Sequence, residues 1–177
     1  MYDWEKAHPA LNVWWRLRQT QEAVQKALDI ELQNYNATLS QIDILMILSV
    51  SRVPLTPTQV ASYTFREKHS TSGLLTRMER SGYVKKTRSE TDRRVMQIQM
   101  QPKGQVLLKQ IIESGFRYAY RIVKSSLSNE EMQQLDRLLK KLRDAALDEM
   151  GLTKQPYPLD TLILPADFRS MVRRQRA

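Results

Sequence analysis

Residues His69 to Gly104 constrain this chain more than any other stretch, because three kinds of element follow one another there with marked boundaries. Thr71, Leu74, Leu75 and Met78 fall at i, i+3, i+4 and i+7, the spacing that lines one face of an α-helix. Ser72, Thr76, Arg77 and Arg80 take the other face. Gly82 is placed to stop that helix, since glycine enters the left-handed conformation without a Cβ penalty. Two strand-like runs follow, Tyr83–Arg88 and Val95–Met100. In the second, Met96, Ile98 and Met100 alternate with Gln97 and Gln99, the period of a half-buried strand. Ser89-Glu90-Thr91-Asp92-Arg93-Arg94 separates the runs as a polar tip.

A helix followed by a basic-tipped hairpin is the layout of a winged helix-turn-helix. Its helix fits a major groove of double-stranded DNA, and its hairpin tip reaches the backbone or the adjacent minor groove. The stretch also resembles a known family. Asp92-x-Arg94, then Ile98-x-Met100, then Pro102-Lys103-Gly104 are similar to the wing signature of the MarR-type transcriptional regulators, and the likeness extends over roughly residues 8 to 150 in element order and length. The resemblance implies a dimeric winged-helix protein whose DNA binding is controlled by a small aromatic ligand, and the function expected on that basis is a homodimeric regulator on a palindromic operator, read as a repressor with activation as the alternative. One departure stands out: where the family commonly carries a polar or basic side chain within the recognition helix, this chain has Gly73.

The distribution of charge agrees with that layout. Residues 66–104 hold ten Lys/Arg against four Asp/Glu, whereas residues 1–65 and 105–150 are close to neutral, so most of the net charge of +9 sits in the reading head, with a further share in the tail after Gly151. Basic charge placed on the element that geometry already aims at DNA is the electrostatic footprint of a nucleic-acid binder. The absence of cysteine excludes a disulfide framework and a thiolate metal site, and two distant histidines, His8 and His69, argue against a metal centre. No apolar run reaches a membrane-spanning length and no signal peptide is evident, so a cytoplasmic protein with no membrane partner is expected.

Along the chain, Ala10 to about Asn34 reads as a long first helix containing Trp14, Leu17, Val24, Leu28 and Leu32. Trp14 and Trp15 point about 100° apart on such a helix, as core aromatics, as contacts to a dimer partner, or as a wall of a ligand pocket. A second helix opens with Ser40 as cap, Asp43 as its capping-box partner and Leu39 with Ile44 as a staple, and runs to about Ser49. Thr56-Pro57-Thr58-Gln59 opens a third, with Leu55 and Val60 as staple, that ends near Phe65. Gln105 to about Ser125 forms a long helix, and Ser128 with Glu131 starts a last, leucine-rich one that stops at Gly151. The fold expected is mainly α with a small β wing: one domain over 1–151, with the winged helix-turn-helix at about 38–104 and dimerisation helices at about 8–36 and 105–151. Residues 152–177 form a C-terminal extension with an apolar patch and a basic end, expected to pack on the dimer.

No phosphate-binding glycine loop, nucleophile elbow or zinc-binding histidine pair is present, so neither an enzyme nor a cofactor is expected. The candidate DNA contacts are His69, Ser70, Ser72, Thr76 and Arg77 on the helix, and Arg93 and Arg94 at the wing tip. Asp92 is expected to orient the Arg94 guanidinium by a charge-assisted bond, or to form a salt bridge that stiffens the hairpin. Lys85, Lys86 and Arg88 are either phosphate contacts or a solvated strand face. A ligand cleft of the kind the resemblance implies, between the helical and winged parts, has Trp15, Arg18, Met46 and Tyr63 as candidate walls, with ordinary packing as the alternative. The competing function is a winged-helix module that binds protein rather than DNA.

Overall fold

A computed structural model describes residues 8–51 and 53–151, and at 114–119 the backbone only. The expected tail packing of residues 152–177 lies outside the described residues. Seven α-helices and one hairpin are described: α1 (Pro9–Gln33), α2 (Leu39–Val50), α3 (Pro57–Tyr63), α4 (Lys68–Arg80), β1 (Val84–Arg88), β2 (Met96–Met100), α5 (Pro102–Gln110), α6 (Phe116–Ser126) and α7 (Asn129–Glu149). The architecture is mainly α with a two-stranded antiparallel wing.

Local chemistry sets most boundaries. Thr56 and Gln59 at α3, and Ser128 and Glu131 at α7, form reciprocal capping boxes as the sequence predicts. The cap of α2 falls two residues earlier than the predicted Ser40. Thr38 takes the extended conformation a cap requires, its hydroxyl accepts from the Gln41 N–H, and the Gln41 carboxamide accepts from the Thr38 N–H. Ser40 thereby lies inside the first turn, with its hydroxyl free to serve Arg66, and Asp43 has no capping role. With Thr38 as cap, the staple positions on either side of it fall at Ala37 and Ile42, both buried, and no longer at Leu39 and Ile44. The single helix predicted over 105–125 begins earlier, with Pro102 at its first position, and carries a π-helical turn at Ile111–Gly115 between α5 and α6.

The core gathers under the winged half. Ile44, Leu45 and Ile47 of α2, Val60 of α3, Leu75 and Met78 of α4, Val84 and Ile98 of the wing, and Leu108 and Ile111 of the α5 rod are all within 5% exposure and form one cluster. The hairpin pairs Val84 with Met100, Lys86 with Ile98 and Arg88 with Met96, so Ile98 points inward and the Gln99 side outward. Leu55 adds a third strand-like contact: its carbonyl accepts the Ile98 N–H at 2.8 Å. Gly104 lets α5 leave the wing at close quarters, since a Cβ there would collide with the Tyr83 carbonyl oxygen. The outer helices behave differently. Of the apolar residues named for the first helix, Leu32 is buried, while Trp14 and Trp15 are 57% and 53% exposed, and Leu135, Leu138, Leu139 and Leu142 of α7 are exposed as well. No helix among the described residues is long and apolar enough to cross a membrane.

Candidate nucleic-acid interface

The sequence of α4 divides it into two faces, and packing enforces the division. Thr71, Leu74, Leu75 and Met78 are buried, which leaves Lys68, His69, Ser70, Ser72, Gly73, Arg77 and Arg80 exposed on the opposite side. A Schellman arrangement ends the helix: Tyr83 N–H reaches the Met78 carbonyl, Gly82 N–H reaches that of Glu79, and Gly82 holds φ +75°. The chain therefore turns directly into β1, so the end of the helix fixes where the wing starts. On the other side, α3 is joined to α4 by a turn in which Phe65 takes φ +51° and the Arg66 N–H bonds the Ala61 carbonyl. The Arg66 guanidinium donates to Ser40 Oγ at 2.6 Å, tying this turn to the start of α2. Nearby on α2, burial pushes the Asp43 carboxyl above the usual aspartate range, with Arg66 pulling it partly back.

The wing tip is held by backbone and short side chains. Ser89 N–H bonds the Val95 carbonyl, Val95 N–H bonds that of Asp92, and Ser89 Oγ accepts from the N–H groups of Thr91 and Asp92. Asp92 does not pair with the Arg94 guanidinium. Its Oδ1 accepts the Arg94 backbone N–H at 2.9 Å, the local turn bond that a short carboxylate makes two residues on. Arg93 and Arg94 are exposed, and neither guanidinium is paired among the described residues. Arg88 closes the tip from the strand side by donating to the Arg93 carbonyl at 2.7 Å.

Two candidates point inward. Lys86 Nζ donates to Thr76 Oγ1 at 2.7 Å and lies 3.9 Å from Glu79 Oε2, while the Lys86 N–H is accepted by Glu79 Oε1. Thr76 in turn donates to the Ser72 carbonyl. Lys85, one residue along the strand, is exposed. Lys68, absent from the sequence-derived set, joins the exposed face as the first residue of α4. The helix start carried no capping signal, because the cap residue Glu67 makes no side-chain cap bond. The four ligand candidates stand in two settings. Trp15 and Arg18 are on the exposed part of α1, with Arg18 paired to Glu22 at 2.6 Å, whereas Met46 and Tyr63 pack on the core cluster.

Helix, turn, helix and braced basic hairpin together define a winged helix-turn-helix. Comparison with known proteins specifies the kind. A family model for the MarR family matches residues 35–95. The homoprotocatechuate degradative operon repressor of Escherichia coli is 30% identical over 132 residues, 75% of this chain and 86% of the repressor. An organohalide-sensing transcriptional regulator in its 2,4-dichlorophenol-bound form superposes with a TM-score of 0.76 at 25% identity, covering 89% of this chain and 95% of that one. A MarR mutant from Escherichia coli complexed with operator DNA has the same fold, with a TM-score of 0.68 at 18% identity over 75% of this chain and 94% of that one. The chain belongs to the MarR family and is a DNA-binding transcriptional regulator.

Proposed function

We propose that this regulator acts as a homodimer on a palindromic operator and represses transcription, with α4 in the major groove and the wing tip at the flanking backbone or minor groove. One observation carries the reading. Lys68, Arg77 and Arg80 on the outer face of α4 and Arg93 and Arg94 at the wing tip are all exposed, while the opposite face of α4 is buried in the core and β1 is tied to α4 by the Thr76–Lys86 contact. Dimerisation is assigned to residues 8–36 and 105–151, because α1 and α7 expose Trp14, Trp15, Leu138 and Leu142, apolar area that water disfavours and a second copy would cover. The repressor assignment draws on the relative from Escherichia coli, whose name describes an operon repressor.

The effector is a small aromatic acid or phenol. That choice rests on the names of two similar proteins, one controlling homoprotocatechuate degradation and one solved with 2,4-dichlorophenol. Trp15, Arg18, Met46 and Tyr63 are proposed as its walls, the arginine for an acid and the rings for stacking. Titration of the protein–operator complex with each of these two compounds tests this arm. Displacement that is lost in Arg18→Ala supports it, and displacement untouched by all four alanine substitutions removes these residues from the site.

Binding to DNA fragments selected from a randomised pool, repeated across salt concentrations, tests the main reading. Neutralised phosphates release counterions, so a log–log slope of order −5 or steeper is expected for the dimer. Weak binding with no preferred sequence would instead favour a winged-helix module that recognises protein.

A further inference from the structure

Gly82, Gly104 and Gly151 are accounted for within the chain. Gly82 and Gly151 hold φ of +75° and +65°, and Gly104 has no room for a Cβ against the Tyr83 carbonyl. Gly73 has neither reason. It lies in the interior of α4 with a helical backbone, on the exposed face between Ser72 and the buried Leu74. A Cβ built there meets nothing nearer than Arg77 Nη1 at 3.7 Å, an ordinary van der Waals contact.

Glycine is among the poorest residues for a helix interior, because it loses the most backbone freedom and shields no backbone from water. Here that cost is borne at a position where alanine would fit without strain. Among the described residues nothing requires the missing side chain, which directs attention to a partner outside the chain. We infer that Gly73 is a specificity-determining position, at which the α4 backbone comes against base-pair edges too closely to admit a Cβ. This rests on the reading of α4 as the helix that enters the major groove. Arg77, one turn further on, already lies beside the open ledge, so its guanidinium can extend along the groove floor to a guanine O6/N7 pair. The glycine then does for this helix what a polar side chain does elsewhere: it decides which bases the helix accepts, by depth of approach rather than by a hydrogen bond of its own.

The test compares wild type with Gly73→Ala and Gly73→Ser in the full chain, on the duplex that wild type selects from a randomised pool and on random duplex. Gly73→Ala should raise the melting temperature by about 2–4 °C, because alanine is the better helix former. Its preference for the selected duplex should fall roughly tenfold or more, the scale of a mismatched base pair. Binding to random duplex should stay within about twofold, since phosphate contacts are untouched. Gly73→Ser should lose the same preference. A more thermostable Gly73→Ala with undiminished preference overturns the inference. So does a lower melting temperature, which would show that the chain itself needs the glycine. If wild type selects no duplex at all, the operator reading fails first and this inference falls with it.

Discussion

Lys86 and Thr76 join the wing to α4: the ammonium of the strand residue donates to the hydroxyl of the helix residue at 2.7 Å, with Glu79 Oε2 3.9 Å from the ammonium. A lysine on a basic strand is usually assigned to phosphate. Here its charge is turned inward, and it ties together the two elements proposed to meet DNA.

Lys86→Met keeps the apolar stem and removes the ammonium. It should cost about 1 kcal/mol of stability, the scale of one internal hydrogen bond. Operator affinity should fall while the salt slope stays within about half a unit of wild type, because no phosphate contact is lost. A slope flattened by about one unit per subunit would make Lys86 a phosphate contact after all.

At the tip, Arg94→Ala should flatten the salt slope by about 1–2 units per dimer, with Arg94→Lys restoring only part of the affinity. Because Asp92 holds the Arg94 backbone rather than its guanidinium, Asp92→Asn retains the accepting oxygen and should bind almost as wild type. Asp92→Ala opens the turn and should weaken binding. Equal losses in the two Asp92 variants would point to a role for the charge itself.

Asp43 gives a pH signature of unusual sign. Its folded-state carboxyl is raised by burial, so the folded chain holds that proton more tightly than the unfolded chain does. The resulting cost is absent below the unfolded value near 3.9 and grows as pH rises through the raised folded value. Asp43→Asn should therefore raise the urea midpoint at neutral pH and leave it unchanged in acid. A neutral-pH loss would mean that the attraction of Arg66 outweighs burial.

For assembly, Leu138→Glu and Leu142→Glu change side chains that are exposed in one copy of the chain. Helix content should persist while sedimentation shifts from dimer to monomer at micromolar concentration. Wild type sedimenting as a monomer throughout that range would remove the dimer from the proposed function.

The reading head was legible because its signals are local. The inward face of α4 needs only the spacing of Thr71, Leu74, Leu75 and Met78, and Gly82 needs only its missing Cβ. Elements with two plausible caps were not. Thr38 and Ser40 both suit a helix start, and the choice depends on which residue is extended and on Arg66, distant in sequence, taking the Ser40 hydroxyl. The π-helical turn at Ile111–Gly115 left no mark, since one extra residue in a helix only shifts an apolar stripe. The partners of Lys86 and Asp92 were out of reach for a similar reason. Sequence gives their charge, but Lys86 meets Thr76 and Glu79 only once β1 packs beside α4, and Asp92 meets the Arg94 N–H only once the tip turn forms.

The bridge from Leu55 to Ile98 has a consequence for how this half of the molecule opens. A lone two-stranded ribbon is marginal in water. Here the carbonyl just ahead of α3 closes over the second strand, and both residues are sealed from solvent. The ribbon cannot peel away without releasing the entrance to α3, so wing and helix-turn-helix belong to one cooperative unit. Its Ile98 amide should exchange with deuterium only when that whole unit opens, far more slowly than the amides of the tip at Glu90 and Thr91. The proposed DNA-contacting surface of the chain would then vanish and reappear in a single event.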